Sequence, residues 1–159
     1  MLGVTVICVG RLRESYLRQA CAEYQKRLSR FCNLTVCELS PAPLPEEPGE
    51  AQIRKALQQE EKAILQAVPK GAVTVALCIE GEQLSSQQLA QHLSRIQAGS
   101  ARLCLCIGGS HGLSEGLKKS CDLCLSFSKM TFPHQLFRVL LLEQLYRAFT
   151  IIGHQKYHK

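Results

Sequence analysis

The chain has 159 residues, 46% of them apolar and 20% charged, and a formal net charge of +6. This length and balance fit one compact domain over residues 1–159 and exclude a disordered or low-complexity chain. No apolar run reaches membrane-spanning length, and the start MLGVTVICVG lacks the basic segment of a secretory leader.

Val4–Val9 opens the chain as an apolar run of strand length. Ser15–Arg30 follows with Leu17, Ala20, Cys21, Tyr24 and Leu28 on one side of a helix. Leu34–Leu39 is a second strand. Ser40–Gly49 reads SPAPLPEEPG, an extended exposed loop. Glu50–Val68 is a second amphipathic helix, and Val73–Ile79 a third strand. Ser85–Gln97 is a third helix, opened by Ser85 and Gln88 at capping-box spacing. Leu103–Ile107 is a fourth strand, a short helix starts near Ser114, and Leu123–Phe127 is a weaker fifth strand. The first, third and fourth strands are nearly all apolar, as in parallel sheets covered on both faces. The alternation predicts an α/β fold with a three-layer sheet.

The last helix, His134–Ile152, starts behind Pro133 and is apolar on every side. In a chain this small that pattern points to a partner subunit, an identical chain being the commonest. The other reading is the central helix of a monomer. Residues 129–159 carry five cations against one carboxylate, with His134, His154 and His158 beside them. That excess suits a polyanionic partner or a solvated helix face. The nine cysteines are odd in number and lie mostly inside apolar runs, which argues for reduced packing thiols in the cytoplasm. Cys121-x-x-Cys124 has no second pair, too few ligands for zinc, so no metal is expected.

Chemistry concentrates at the turns. Gly108-Gly109-Ser110-His111-Gly112 follows the fourth strand directly. Glycines at a strand–helix turn let a ligand approach the backbone, although a plain tight turn would also use them. The G-G-x-x-G spacing is neither a dinucleotide fingerprint nor a P-loop. Glu80-Gly81-Glu82 forms another turn after the third strand, where a solvated turn is the preferred reading of both glutamates. Phe127–His134 mixes apolar, hydroxyl and basic groups at the same end of the sheet. The terminal Tyr157-His158-Lys159 offers stacking, proton handling and phosphate pairing.

The stretches CIGGSHGL and LSFSKMTFPHQLFRVLLLEQLYRAFTII and the ending YHK resemble the ribosomal RNA large subunit methyltransferase H family of the SPOUT superfamily. The resemblance extends weakly over the whole chain. It implies a C-terminal trefoil knot, S-adenosyl-L-methionine as donor, a homodimer, and methylation of N3 of a pseudouridine in 23S ribosomal RNA within the 70S ribosome. It implies donor contacts at Leu77, Gly108, Gly109, Phe127, Ser128, Lys129, Met130, Thr131 and Phe132. Cys78 and Lys159 depart from members that carry Asp and Arg there. The N3–H must lose its proton near attack, which calls for a base or a stabilising cation. His158, Tyr157, Lys159 and Arg138 are the expected catalytic residues. His158 or a nearby water takes the proton, and Lys159 holds phosphate or the developing charge. The competing expectation is a non-catalytic ribosome- or RNA-binding module on the same fold.

Overall fold

The computed structural model describes residues 1–157. Ten elements run in order: β1 (Leu2–Val9), α1 (Ser15–Leu28), β2 (Cys32–Leu39), α2 (Glu50–Ala67), β3 (Val73–Gln83), α3 (Ser86–Gly99), β4 (Arg102–Ile107), α4 (Glu115–Ser120), β5 (Leu123–Ser126) and α5 (His134–Ile152). The five strands form one sheet in the order β2-β1-β4-β3-β5, and every pair is parallel.

Burial follows this order. Central β1 and β4 are almost entirely buried, which is why they read as continuous apolar runs. Edge strand β2 is buried only at Cys32 and elsewhere mixes half-buried and exposed positions. Successive residues of β1 and β4 feed two separate apolar clusters. Leu2, Val4, Val6, Leu103 and Leu105 join residues of α1, α3 and α5. Ile7, Val9, Cys104 and Cys106 join Ile64 of α2 and Leu117 of α4. Burying a leucine-sized side chain contributes about 1.5–3 kcal/mol, so these clusters carry the fold.

The capping box appears as expected. Ser85 Oγ accepts from the Gln88 amide at 3.1 Å, and Gln88 Oε1 accepts from the Ser85 amide at 2.8 Å. Pro133 stands immediately before α5. All nine cysteines are free thiols. No described helix is long and apolar enough to cross a membrane.

Strand β3 differs from its expected end. Leu77 pairs with Leu125, residues 78–81 leave the ladder, and Glu82 then pairs with the same Leu125. Gly81 makes the return possible: a Cβ there would lie 2.7 Å from the Cys124 carbonyl. Glu80-Gly81-Glu82 is therefore a bulge within a strand rather than a strand-to-helix turn.

Helix α5 buries one stripe, Arg138, Leu141, Leu142, Leu145, Ala148 and Phe149, within its own chain. Leu136 is 39% exposed and Leu140 half-buried, while Val139, Ile151 and Ile152 are half-buried against the chain's own core. The all-round apolar pattern thus divides into an internal stripe and an outer surface.

Candidate donor crevice

The C-terminal ends of β3, β4 and β5 surround a crevice of about 740 Å³. Three backbone segments wall it: the excursion after Leu77, the glycine turn after Ile107, and Phe127–Pro133 after β5. The first turn of α5, through His134 and Phe137, closes one side. Parallel α/β sheets place ligands at this end of their strands.

The glycine turn is built on the absence of side chains. A Cβ on Gly108 would stand 2.3 Å from the Gly112 carbonyl oxygen, and Gly112 holds φ at +75°. The Gly112 amide donates to the Gly109 carbonyl at 3.0 Å and tightens the loop. Ser114 then caps α4: its Oγ accepts from the Leu117 amide at 3.1 Å and donates to Glu61 at 2.7 Å. The wall after β5 is tied to itself. Ser126 Oγ donates to the Ser128 carbonyl at 3.0 Å, and the Met130 amide donates to Ser128 Oγ at 3.0 Å. The Phe127 and Phe137 rings meet at 4.8 Å, and Phe132 lies 6.4 Å from Phe137. These rings make an apolar side wall.

The crevice brings together Leu77, Gly108, Gly109, Phe127, Ser128, Met130, Thr131 and Phe132. Lys129 is exposed and stands outside that lining. The structure adds a charged rim that the sequence pattern concealed. Lys118 pairs with Glu80 and, at 3.1 Å, with Glu115. Lys118 bonding holds the Glu80 carboxyl below its usual range. Burial opposes the charge on Lys118, but Glu80 and Glu115 outweigh it and hold its pKa high. Glu80 is therefore committed to an ion pair, not a free turn residue. Cys78, also in the lining, is pushed up to about 12, first by burial and then by Cys124 and Glu80. It lines the site as a neutral thiol.

The expected catalytic group divides. Arg138 is 3% exposed, and its guanidinium donates to Glu38 at 2.6 Å and to the Gly10 carbonyl at 3.1 Å. It thus holds the ends of β1 and β2 together, and it does not line the crevice. Of the expected catalytic residues it is the one whose fork is taken up by two acceptors of its own chain. Tyr157 folds back onto α5. Its ring meets Tyr146 at 4.8 Å, Arg147 lies 4.9 Å from its centroid, and its hydroxyl reaches Glu143 at 3.3 Å. His158 and Lys159 lie outside the described residues. His134 sits at the crevice lip with its pKa lowered by burial, then by Arg138 and Arg13.

Fold and site define a parallel α/β protein with a ligand-sized crevice over a glycine turn at the C-terminal edge of its sheet. Residues 2–158 match the family model described as "Predicted SPOUT methyltransferase". A protein of Bifidobacterium animalis subsp. lactis named ribosomal RNA large subunit methyltransferase H is 45% identical over 99% of this chain and 100% of the relative. A protein of the same name from Clostridium botulinum is 43% identical over the same shares. The chain belongs to the SPOUT methyltransferase family.

Proposed function

We propose that this methyltransferase carries a methyl group from S-adenosyl-L-methionine to N3 of a pseudouridine in 23S ribosomal RNA of the assembled 70S ribosome, working in the cytoplasm as a homodimer. The observation that carries the reading is the crevice itself, whose walls include every donor contact implied by the sequence resemblance except Lys129. Its volume of about 740 Å³ is ample for a nucleoside-sized ligand. Its chemistry also fits. Bare backbone at Gly108 and Gly109 accepts a close approach, and the Leu77 and Phe127 side chains offer apolar surface to a purine. The donor supplies an electrophilic methyl group; the chain's residues supply alignment and water exclusion.

The homodimer reading is supported by the outer surface of α5. Tyr157 rests against Tyr146, nine residues along α5 from Phe137 at the crevice, which is about 13 Å of helix. That spacing favours the tail of one protomer serving the crevice of the other, where His158 or a nearby water takes the N3 proton and Lys159 holds phosphate or the developing charge. In the same reading the sheet is the middle of three layers and the C-terminal segment is knotted. Apolar clusters on both sides of the sheet support the layers, and family membership supports the knot.

A non-catalytic RNA-binding module has no need of a crevice with glycines at 108, 109 and 112, and the names of the full-length relatives favour the enzyme. The test is calorimetric titration with S-adenosyl-L-methionine, followed by labelled methyl transfer to 70S ribosomes and to free 23S RNA. Donor binding with transfer to ribosomes is expected; absence of donor binding overturns the reading.

A further inference from the structure

The glycine turn has a second side. Opposite the donor crevice lies another cavity of about 750 Å³, between the β1–α1 corner, the proline-rich loop and α2. Gly109, Ser110, His111 and His134 line both spaces. The partition between them is thus the turn segment Gly109-Ser110-His111 together with His134. We propose that this second cavity receives the acceptor nucleotide of the RNA, turned out of its strand, with Arg11 and Arg13 holding the adjoining phosphates.

The corner that carries the two arginines is fixed in advance. Arg138 donates to the Gly10 carbonyl at 3.1 Å. Arg18 donates to the Leu12 carbonyl at 3.1 Å and to the Arg13 carbonyl at 2.7 Å. The Arg13 amide donates to Gln135 Oε1 at 3.0 Å. Four bonds thus hold a turn of four residues, while the side chains of Arg11 and Arg13 remain exposed. A rigid backbone presenting exposed guanidinium groups suits phosphate capture. Tyr16, 65% exposed on the first turn of α1, adds a stacking surface beside them.

The charge balance of the lining favours an anion. Among its described residues Glu60 is the one carboxylate, and it accepts from the Ala42 amide at 3.1 Å. Burial raises its pKa against the Ala42 amide and His111, which both lower it. Ile53 and Leu57 of α2 give the cavity an apolar floor for a base. Placement completes the case. Methyl transfer needs acceptor and donor about 3–3.5 Å apart at reaction, and two ligands on either side of one glycine turn meet at its lip. A base inside a helix cannot reach such a cavity, so it must be extruded or single-stranded.

This assignment rests on the RNA-methyltransferase reading and is tested separately from it. Arg11→Gln/Arg13→Gln should keep donor affinity by calorimetry and the unfolding midpoint of the unmodified protein. Its KM for ribosomes should rise roughly tenfold, and the dependence of log KM on log salt should weaken by about two, one per lost phosphate contact. Leu57→Trp, which fills the cavity floor, should lower kcat/KM for ribosomes with donor affinity intact. Wild-type KM and salt dependence in the arginine pair overturn the proposal, and that pair decides the matter should L57W fail to fold. Failure of the unmodified protein to bind S-adenosyl-L-methionine overturns the reading beneath it instead.

Discussion

Replacing Gly108 by alanine directs a methyl group into the backbone of Gly112, whose carbonyl oxygen, carbonyl carbon and Cα would lie 2.3, 2.4 and 2.9 Å away. Carbon atoms rest at about 3.5–4.0 Å, so the turn must open by roughly 1 Å. Every obstacle is main chain, held by the Gly112–Gly109 hydrogen bond at 3.0 Å, so no side chain can swing aside. Relief costs about 1–3 kcal/mol, within the roughly 5–15 kcal/mol that hold a domain folded. The protein should stay folded, with its thermal midpoint lowered by roughly 2–12 °C. The wall of the proposed donor site, however, is displaced by the same distance, and displacements of that size cost on the order of a hundredfold in rate. We expect Gly108→Ala to lose at least tenfold in donor affinity by calorimetry and more in methyl transfer. Gly109→Ala is the control: its methyl would approach the Val9 side chain at 3.4 Å, a tolerable contact, and its loss should be clearly smaller. Equal losses in the two variants, or full donor affinity in Gly108→Ala, would refute the steric argument.

Three further outcomes are expected. Arg138→Met removes a buried guanidinium and strands Glu38, but Glu38 is 38% exposed and can rehydrate, so the cost should be about 2–3 kcal/mol rather than more. Urea unfolding of this variant, Glu38→Gln and the double variant should show coupling between the two positions. Leu140→Glu, on the outer surface of α5, should sediment as a folded monomer, whereas Leu141→Glu, 1% exposed in the chain's own core, should fail to fold. The Glu80–Lys118 pair depresses the Glu80 pKa below its ordinary 4.5, so its stabilisation is full above that value and fades as pH falls through the lower folded value. In Lys118→Met, unfolding midpoints measured across the acid range should fall less steeply between neutral and acid pH than in the unmodified chain.

Those outcomes trace which features the residue pattern discloses. Strands β1 and β4 were legible because central parallel strands have no solvated face, so their sequences need not alternate. The bounds His134–Ile152 of α5 were legible because proline and glycine bracket an unbroken run. The excursion at residues 78–81 was not, because a pattern reader ends a strand at its first glutamate. Only the close approach of β5 to Gly81 shows why the strand resumes. The fate of Arg138 was hidden for a different reason: its partner Glu38 is a hundred residues away, and nothing local announces the pair.

Strand order carries the same lesson into the site. The motif in residues 108–112 announces a ligand turn but not its neighbours. In the sheet, β4 lies between β1 and β3, so the turn that leaves β4 stands between the ends of both. Toward β3 and β5 it meets Leu77 and the Phe127–Phe132 wall and forms the crevice proposed for the donor. Toward β1 it meets Gly10–Arg13 and forms the second cavity. Had β4 stood at an edge, the same glycines would have had one side to offer. A central position gives one turn two faces, and a transfer reaction requires two ligands to meet across a short distance.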